Sequence, residues 1–435
     1  MSPGASTTFT SRLLARPGFL AAWCVIAAFG TYACMYGFRK PFTAASFLGT
    51  PYGESLKVWY VTAQVLGYMI SKFIGIKVVA EMTAPRRAKV LLGLIGVAQL
   101  ALVAFALTPA PWGVVWLVCN GLPLGMVFGL VLGFLEGRRM TEFFVAGLCA
   151  SFILADGLTK SVGSWLLEAR ELPDSWMPAT AGMIFLLPLL GFVWMLARIP
   201  PADAADVAAR SERTPMSGAE RLAMVRRHGV SLLAIVLVYL LITILRSVRA
   251  DFAPEIWESL GFTGKPAVFT QSELWVGLAV TVVNGLVFLV RDNRRGFFCA
   301  LWISFGGLLV ALLALAGWRA GNLGGFPFMV LLGVGMYLPY VAVHTTVFER
   351  LIALTREKGN IGFLMYLADA TGYLGYCAVM LSRSFFKPEE GFLPFFLNLT
   401  LLILLGSLAL LATSILLYRR RFPRNAAAPA VSLTS

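Results

Sequence analysis

The chain has 435 residues, of which 58% are hydrophobic and only 13% are charged, and its mean hydropathy is +0.79. This composition excludes an ordinary soluble globular domain and indicates an integral membrane protein. The net charge of +14 would suit nucleic-acid binding, but the placement of the basic residues favours a role in membrane topology.

Apolar runs of about 20 residues, the length that a helix needs to cross a bilayer, recur along nearly the whole chain. Because lipid offers the backbone no hydrogen-bond partners, each run is expected to be helical. The sequence therefore predicts an all-α membrane protein with twelve transmembrane helices, at residues 18–40, 57–76, 88–108, 112–135, 143–167, 177–197, 229–251, 271–290, 297–317, 326–348, 359–382 and 392–418.

The first predicted span ends in two adjacent cations, Arg39 and Lys40, and Arg246 lies at a comparable depth in the seventh. Charges at membrane depth are costly and usually functional. The alternative is that these long side chains reach the outer headgroups. If instead Arg39 and Arg246 converge from equivalent helices, their planar forks would clamp a phosphate or carboxylate, and Lys72 in the second span would add a point charge.

The fourth span carries a glycine at every fourth position, Gly121, Gly125, Gly129 and Gly133. Such a stripe lets a neighbouring helix backbone approach closely. Tight packing is the favoured interpretation, with a seam that moves during transport as the alternative.

The fifth span holds Asp156 and Lys160 one helical turn apart, and we expect them to neutralise each other. They are also candidates for a coupling or counter-ion role. In the seventh span, Arg249 and Asp251 are expected to pair near the rim.

The longest polar stretch, Pro200 to His228, divides the spans six and six. We predict two six-helix bundles, at residues 1–198 and 229–435, joined by a cytoplasmic linker at 199–228. This is the layout of the major facilitator superfamily, in which substrates bind between the halves near the midplane.

Asp369 in the eleventh span lies 11 residues beyond Lys358, close to the bilayer centre. A carboxylate there must be protonated, paired with a cation or exposed to a cavity, so we expect a proton carrier or a counter-ion rather than a packing role. His344 is expected to be a hydrogen-bonded core histidine. With Glu273 left at the rim, the spans contain six cations and three carboxylates, which favours an anionic ligand: Arg39, Lys40, Lys72, Lys160, Arg246 and Arg249 against Asp156, Asp251 and Asp369.

The remaining Lys and Arg residues set the orientation. With a cytoplasmic amino terminus, 24 of them lie at cytoplasmic ends and loops and six at the opposite face. We therefore expect a monomeric, multi-pass protein of the plasma (inner) membrane with both termini cytoplasmic, embedded in the lipid bilayer and not bound to nucleic acid. The six cysteines show no paired spacing, and neither a cofactor nor a metal is expected.

Four short segments carry motif-like strings. Residues 36–42 read Tyr-Gly-Phe-Arg-Lys-Pro-Phe, residues 68–74 Tyr-Met-Ile-Ser-Lys-Phe-Ile, residues 251–254 Asp-Phe-Ala-Pro and residues 372–375 Gly-Tyr-Leu-Gly. Together they resemble the organophosphate:phosphate antiporter family of the major facilitator superfamily, the glycerol-phosphate and hexose-phosphate carriers. The resemblance implies Arg39 and Arg246 as the phosphate-gripping pair, with Lys40 beside them and with Tyr68 and Lys72 lining the path.

Three positions depart from that family. Its histidine in the fifth span has no match, Asp369 stands where the family tends to have a small uncharged residue, and Arg249 adds a cation beside Arg246. The resemblance therefore supports the fold and the preference for anions better than it supports one substrate.

We predict a secondary active transporter of a small organic anion, an organophosphate exchanged for phosphate by alternating access. Two alternatives stay open: a proton-coupled transporter of another solute that uses Asp369, and a membrane receptor that binds a ligand without moving it. The sequence does not favour an enzyme, because it shows no glycine-rich phosphate cradle, metal-ligand spacing or nucleophile with a recognisable base.

Overall fold

The computed structural model describes residues 13–14, 16–80, 82, 84–135, 138, 141–201, 218–287, 289–355, 361–386 and 391–422. Within these ranges the regular structure is entirely helical and contains no strand, and twelve spans follow one another along the chain. The predicted all-α fold with twelve transmembrane helices is confirmed. We number the spans α1 to α12.

The first half runs from α1 to α6. A short 3-10 turn, Pro41–Ala44, follows α1. The spans are α1 (Pro17–Tyr36), α2 (Glu54–Ala80), α3 (Ala84–Leu107), α4 (Gly113–Leu124 and Val127–Leu135), α5 (Thr141–Arg170) and α6 (Met177–Ala197).

The second half runs from α7 to α12. A short helix, Ala253–Ser259, follows α7, and a π-helical turn, Val343–Val347, interrupts α10. The spans are α7 (Gly218–Asp251), α8 (Ala267–Val287), α9 (Asn293–Arg319), α10 (Gly325–Ala342, then Phe348–Thr355 after the π turn), α11 (Ile361–Phe386) and α12 (Phe392–Arg421).

Helix packing repeats with an offset of six spans. In the first half, α1 packs against α5 and α6, α4 against α2 and α3, and α3 against α6. In the second half, α7 packs against α11 and α12, α10 against α8 and α9, and α9 against α12. The two bundles therefore share one plan. The exact limits of the predicted halves stay a prediction, since residues 202–217 of the linker lie outside the described residues.

The halves meet through two helix pairs, α2 with α11 and α5 with α8. Of the described helices, the other eight spans are each long and apolar enough to cross a membrane by length and composition alone. The four interface helices carry the buried polar side chains Lys72, Asp156, Lys160, Glu273 and Asp369. Lower hydropathy thus marks the helices that carry charged side chains between the halves.

The glycine stripe of α4 packs within one half. A Cβ atom at Gly121 would lie 2.1 Å from the Gln64 carbonyl oxygen, and one at Gly125 would lie 2.5 Å from the Tyr68 carbonyl oxygen, both in α2. Further along, a Cβ at Gly133 would meet the Arg87 guanidinium. Because α2 and α4 belong to the same bundle, tight packing accounts for the stripe better than a seam between moving halves.

The first span ends earlier than predicted. Helix α1 stops at Tyr36, and Arg39 and Lys40 lie in the turn that leads into the 3-10 segment. The expectation that the helix continues through these two cations was wrong. Pro41 has no backbone N–H to continue the hydrogen bonds of the helix. In the turn that replaces the helix, the side chains of Arg39 and Lys40 point to different partners.

Candidate functional site

Arg39 and Arg246 meet between the two halves. Their relative exposures are 3% and 6%, so neither reaches the outer headgroups. Arg246 Nη2 donates a hydrogen bond to the Tyr373 hydroxyl at 3.2 Å, and the Arg39 guanidinium carbon lies 6.0 Å from the centre of the same ring. The structure thus brings together the two arginines that the sequence singled out. Their role as ligands for a substrate stays a prediction.

Aromatic rings support both guanidiniums. The Arg39 guanidinium carbon lies 3.8 Å from the centre of the Tyr68 ring, and that of Arg246 lies 4.6 Å from the centre of the Tyr340 ring. Tyrosine faces stabilise a cation without neutralising it.

In the part of the chain that the structure describes, neither arginine has a carboxylate partner. Among the described residues, none lies within 4.0 Å of either guanidinium, and the Nε atoms of both are buried without a hydrogen-bond partner. Buried charge is normally paired, so two adjacent unpaired guanidiniums form a site suited to an anion.

Two amides hold the backbone turn that carries Arg39. Gln64 Nε2 donates to the Arg39 carbonyl oxygen at 2.9 Å and to Asn120 Oδ1 at 2.7 Å. Asn120 Nδ2 donates to the carbonyl oxygens of Phe38, at 3.1 Å, and Ala98, at 3.0 Å. The amides satisfy carbonyls that the end of α1 leaves free and fix the position of Arg39.

Lys72 and Asp369 pair across the interface between α2 and α11. Lys72 Nζ donates to Asp369 Oδ2, and the Tyr239 hydroxyl donates to Asp369 Oδ1. His344 Nε2 lies 3.6 Å from the same Oδ1 atom. Of the expectations for Asp369, the structure shows the pairing with a cation, and Lys72, at 7% exposure, does not reach the headgroups. We call Arg39, Lys72, Arg246, Asp369 and His344 the central cluster.

A second group of charges lies nearer the outer ends of the helices. Lys40 pairs with Asp251, which also accepts a hydrogen bond from the Tyr376 hydroxyl at 2.9 Å. Lys40 Nζ lies 3.9 Å from Asp156 Oδ1, and Asp156 pairs with Lys160 as expected. Lys40 therefore turns away from the arginine pair. The outer cluster consists of Lys40, Asp156, Lys160, Arg249, Asp251 and Glu273.

Two expectations about this outer cluster were wrong. Arg249 does not pair with Asp251 but donates to Glu273 Oε1 at 2.6 Å. Residues two positions apart on a helix point to nearly opposite sides, so Arg249 and Asp251 face different neighbours. Glu273 does not lie at the rim, because its exposure is only 5%, and it adds a fourth carboxylate to the interior, the third of the outer cluster.

Sequence reasoning named Tyr68 but missed Tyr340, Tyr373 and His344 as members of the site. Tyr337, Tyr340 and His344 follow one another at intervals of three and four residues, which places them on one face of α10. Tyr373 lies within a motif-like string, but its contact with Arg246 depends on helix packing. The helical spacing of Tyr337, Tyr340 and His344 was the sequence signal that would have placed them together on one face of α10.

Three solved structures are similar to this chain in fold. A bacterial homologue of the human lysosomal transporter Spinster, in an inward-facing and unoccupied conformation, has a TM-score of 0.62 and 13% identity over 94% of this chain and 99% of its own. The nucleoside transporter NupG has a TM-score of 0.60 and 12% identity, covering 92% and 99% of the two chains. A D-xylose-proton symporter has a TM-score of 0.58 and 15% identity, covering 89% and 96%.

These three structures are transporters of the major facilitator superfamily, and at such identities they establish the fold alone. No curated protein matches the chain in sequence. A family model described as a family of unknown function matches residues 41–421. The chain therefore belongs to the family of unknown function DUF5690 and has the fold of the major facilitator superfamily.

Proposed function

We propose that this chain is a secondary transporter of a small organic anion, and that its cargo is an organophosphate exchanged for phosphate. The observation that carries the proposal is the meeting of Arg39 and Arg246 at Tyr373, both buried and with no carboxylate of the described residues beside them. The narrower resemblance to the organophosphate:phosphate antiporters agrees with this geometry.

The chemistry of the central cluster favours a compact anion with several oxygens. Each guanidinium offers paired N–H donors in a plane, which match two oxygens of a phosphate or carboxylate. The central cluster contains three cations, Arg39, Lys72 and Arg246, and one carboxylate, Asp369, which pairs with Lys72, so the cluster has a surplus of two positive charges. A dianion would balance it, which supports a phosphorylated cargo.

Alternating access follows from the origin of the two arginines. Arg39 follows α1 in the first half and Arg246 belongs to α7 in the second. An anion held by both would draw the halves together and lower the barrier between states open to opposite sides. An exchanger needs this property, because the halves then interconvert readily only when cargo is bound.

The outer ends of the two halves are joined in this structure. Lys57 of α2 pairs with Glu255 in the short helix after α7, and Lys40 pairs with Asp251. Ser161 of α5 and Thr270 of α8 share a hydrogen bond of 2.7 Å. With the predicted orientation, these contacts favour a state closed toward the outside.

A transport assay tests the proposal. Proteoliposomes loaded with phosphate should take up external glycerol 3-phosphate, and Arg39→Lys and Arg246→Lys should each reduce the rate at least tenfold, since lysine replaces a planar fork by a point charge. Arg319→Lys, at an exposed arginine, is the matched control and should keep the rate. Exchange that survives in either buried variant would contradict the proposal.

The contacts of Asp369 also favour a second candidate, a proton-coupled transporter of another solute. That protein would not exchange external glycerol 3-phosphate for internal phosphate, and its uptake of its own solute would tolerate Arg39→Lys. Saturable binding without any flux would instead indicate the receptor that the sequence left open.

A further inference from the structure

The side chains around Asp369 contain more acceptor atoms than hydrogens to fill them. The Tyr239 hydroxyl has one hydrogen and donates it to Asp369 Oδ1. His344 Nε2 lies 3.3 Å from the same hydroxyl oxygen and 3.6 Å from Asp369 Oδ1. Because Tyr239 has given its hydrogen to the carboxylate, it has none left for the histidine.

The other ring nitrogen of His344 fixes the tautomer. Nδ1 lies 3.1 Å from the Tyr340 carbonyl oxygen, which can only accept a hydrogen bond. In the neutral ring Nδ1 therefore carries the hydrogen, and Nε2 presents a lone pair. Two lone-pair atoms, His344 Nε2 and Asp369 Oδ1, face one another in a buried site, and one added proton would join them.

We propose that Asp369 and His344 together form a proton site, and that an anion arriving at the arginine pair loads this site by drawing Lys72 away from Asp369. The first part stands on the geometry of the cluster alone. The second part rests on the proposed function.

Lys72 lies where its ammonium group can pair either with the Asp369 carboxylate or with an anion bound between the arginines. Its Nζ atom lies 5.2 Å from the centres of both the Tyr68 and Tyr373 rings, the rings that Arg39 and Arg246 contact. A dianion between the arginines would attract the flexible ammonium from Asp369. The carboxylate would then be buried without a cation, a costly state that uptake of one proton from water relieves.

Charged and titratable groups face the proton site from five helices. Lys72 is the cation that contacts Asp369, while Arg246 is held by Tyr373 and Tyr340. The others are hydroxyl or thiol groups, and the Tyr373 hydroxyl accepts the hydrogen bond of Arg246. The set comprises Lys72 from α2, Cys149 from α5, Tyr239 and Arg246 from α7, Tyr340 from α10 and Tyr373 from α11.

The π-helical turn Val343–Val347 supports a functional role for His344. Such turns occur inside helices mostly as single turns and often at functional sites. This one carries His344 in the middle of α10, beside the interface between the halves. Its proton would enter from the side to which the cluster is open and leave on the other side together with the anion.

Histidine NMR tests the proton site without any cargo. The chain has two histidines, so His228→Gln leaves His344 as the sole source of histidine signals. In the detergent-purified, ¹³C,¹⁵N-histidine-labelled protein, we expect a neutral ring protonated at Nδ1 at high pH. A neutral ring protonated at Nε2 would overturn the proposal. The measurement requires no substitution in the central cluster.

Titration of the same ring tests whether Asp369 and His344 share the added proton. In Asp369→Asn, His344 should take up its second proton at a pH lower by about one unit or more, since the partner charge is gone. Glu273→Gln, which removes a buried carboxylate of the outer cluster, should leave the midpoint in place. An unchanged midpoint in Asp369→Asn would also overturn the proposal.

Proteoliposomes test the coupling. When phosphate is inside, anion and proton travel in both directions, so exchange should be insensitive to a pH gradient. Net uptake of glycerol 3-phosphate into phosphate-free vesicles requires the halves to return empty and should be slower than exchange, but it should rise several-fold with an inward proton gradient and lose that response in Asp369→Asn. Net uptake that ignores the gradient would contradict the coupling. Absence of all flux would contradict the proposed function, and the NMR titration decides the proton site separately.

Discussion

Charged side chains inside the membrane form two clusters with different net charge. The outer cluster balances three cations with three carboxylates, whereas the central cluster has three cations and one carboxylate. A balanced network can hold helices together without a ligand. An unbalanced one is stabilised by an added anion, so the two clusters are suited to different tasks.

Removing one member of a balanced pair should cost more stability than removing both. Asp251→Asn leaves the buried Lys40 with only the more distant Asp156 carboxylate, which already pairs with Lys160, and should lower the unfolding free energy by about 3 kcal/mol. The double variant Lys40→Met with Asp251→Asn should recover part of this loss. Thermal unfolding in detergent measures all three proteins. A double variant no more stable than Asp251→Asn would contradict a structural role for the pair.

Helix packing, in contrast, depends on small side chains and backbone contact. The close approach of α2 and α4 at Gly121 sets the distance between these helices and, through Gln64 and Asn120, the position of the turn that carries Arg39. The tight contact between α5 and α8 has the same basis, because a Cβ at Gly157 would lie 2.5 Å from the Phe269 carbonyl oxygen.

Adding one methyl group at the contact between α2 and α4 should therefore be destabilising. In Gly121→Ala, the new Cβ overlaps the Gln64 backbone, and we expect a loss of about 1–3 kcal/mol. Gly96→Ala on α3 has open space around the new methyl group and should keep or slightly raise the unfolding temperature. Equal unfolding temperatures for the two variants would show that the close approach is not required.

Periodicity and hydropathy predicted the twelve spans, and rare charges within them pointed to Arg39, Arg246 and Asp369. The partners were harder to predict. Arg249 and Asp251 are neighbours in sequence but face opposite sides of α7, and the partner of Arg249 is Glu273, 24 residues away. His344 gained its significance only from α11, which places Asp369 beside it. Local pattern determines which face a residue occupies, while long-range packing determines what it meets.

The molecule as a whole is two related bundles that share one positively charged centre. The packing of six helices recurs in each half. The two contacts between the halves are also equivalent, because a shift of six spans turns the pair α2 and α11 into the pair α8 and α5. Arg39 and Arg246 occupy comparable positions in the two halves, since Arg39 directly follows α1 and Arg246 lies near the end of α7. One anion held between them would link the motion of the halves to the presence of cargo.

Direct binding of radiolabelled phosphate to the detergent-purified protein tests this idea most closely. We expect one saturable site, with affinity reduced at least tenfold, or about 1.4 kcal/mol, in both Arg39→Lys and Arg246→Lys. Arg319→Lys should bind as the unmodified protein does. Wild-type affinity in either buried variant would mean that the two halves do not grip the same anion, and the proposed clamp would be wrong.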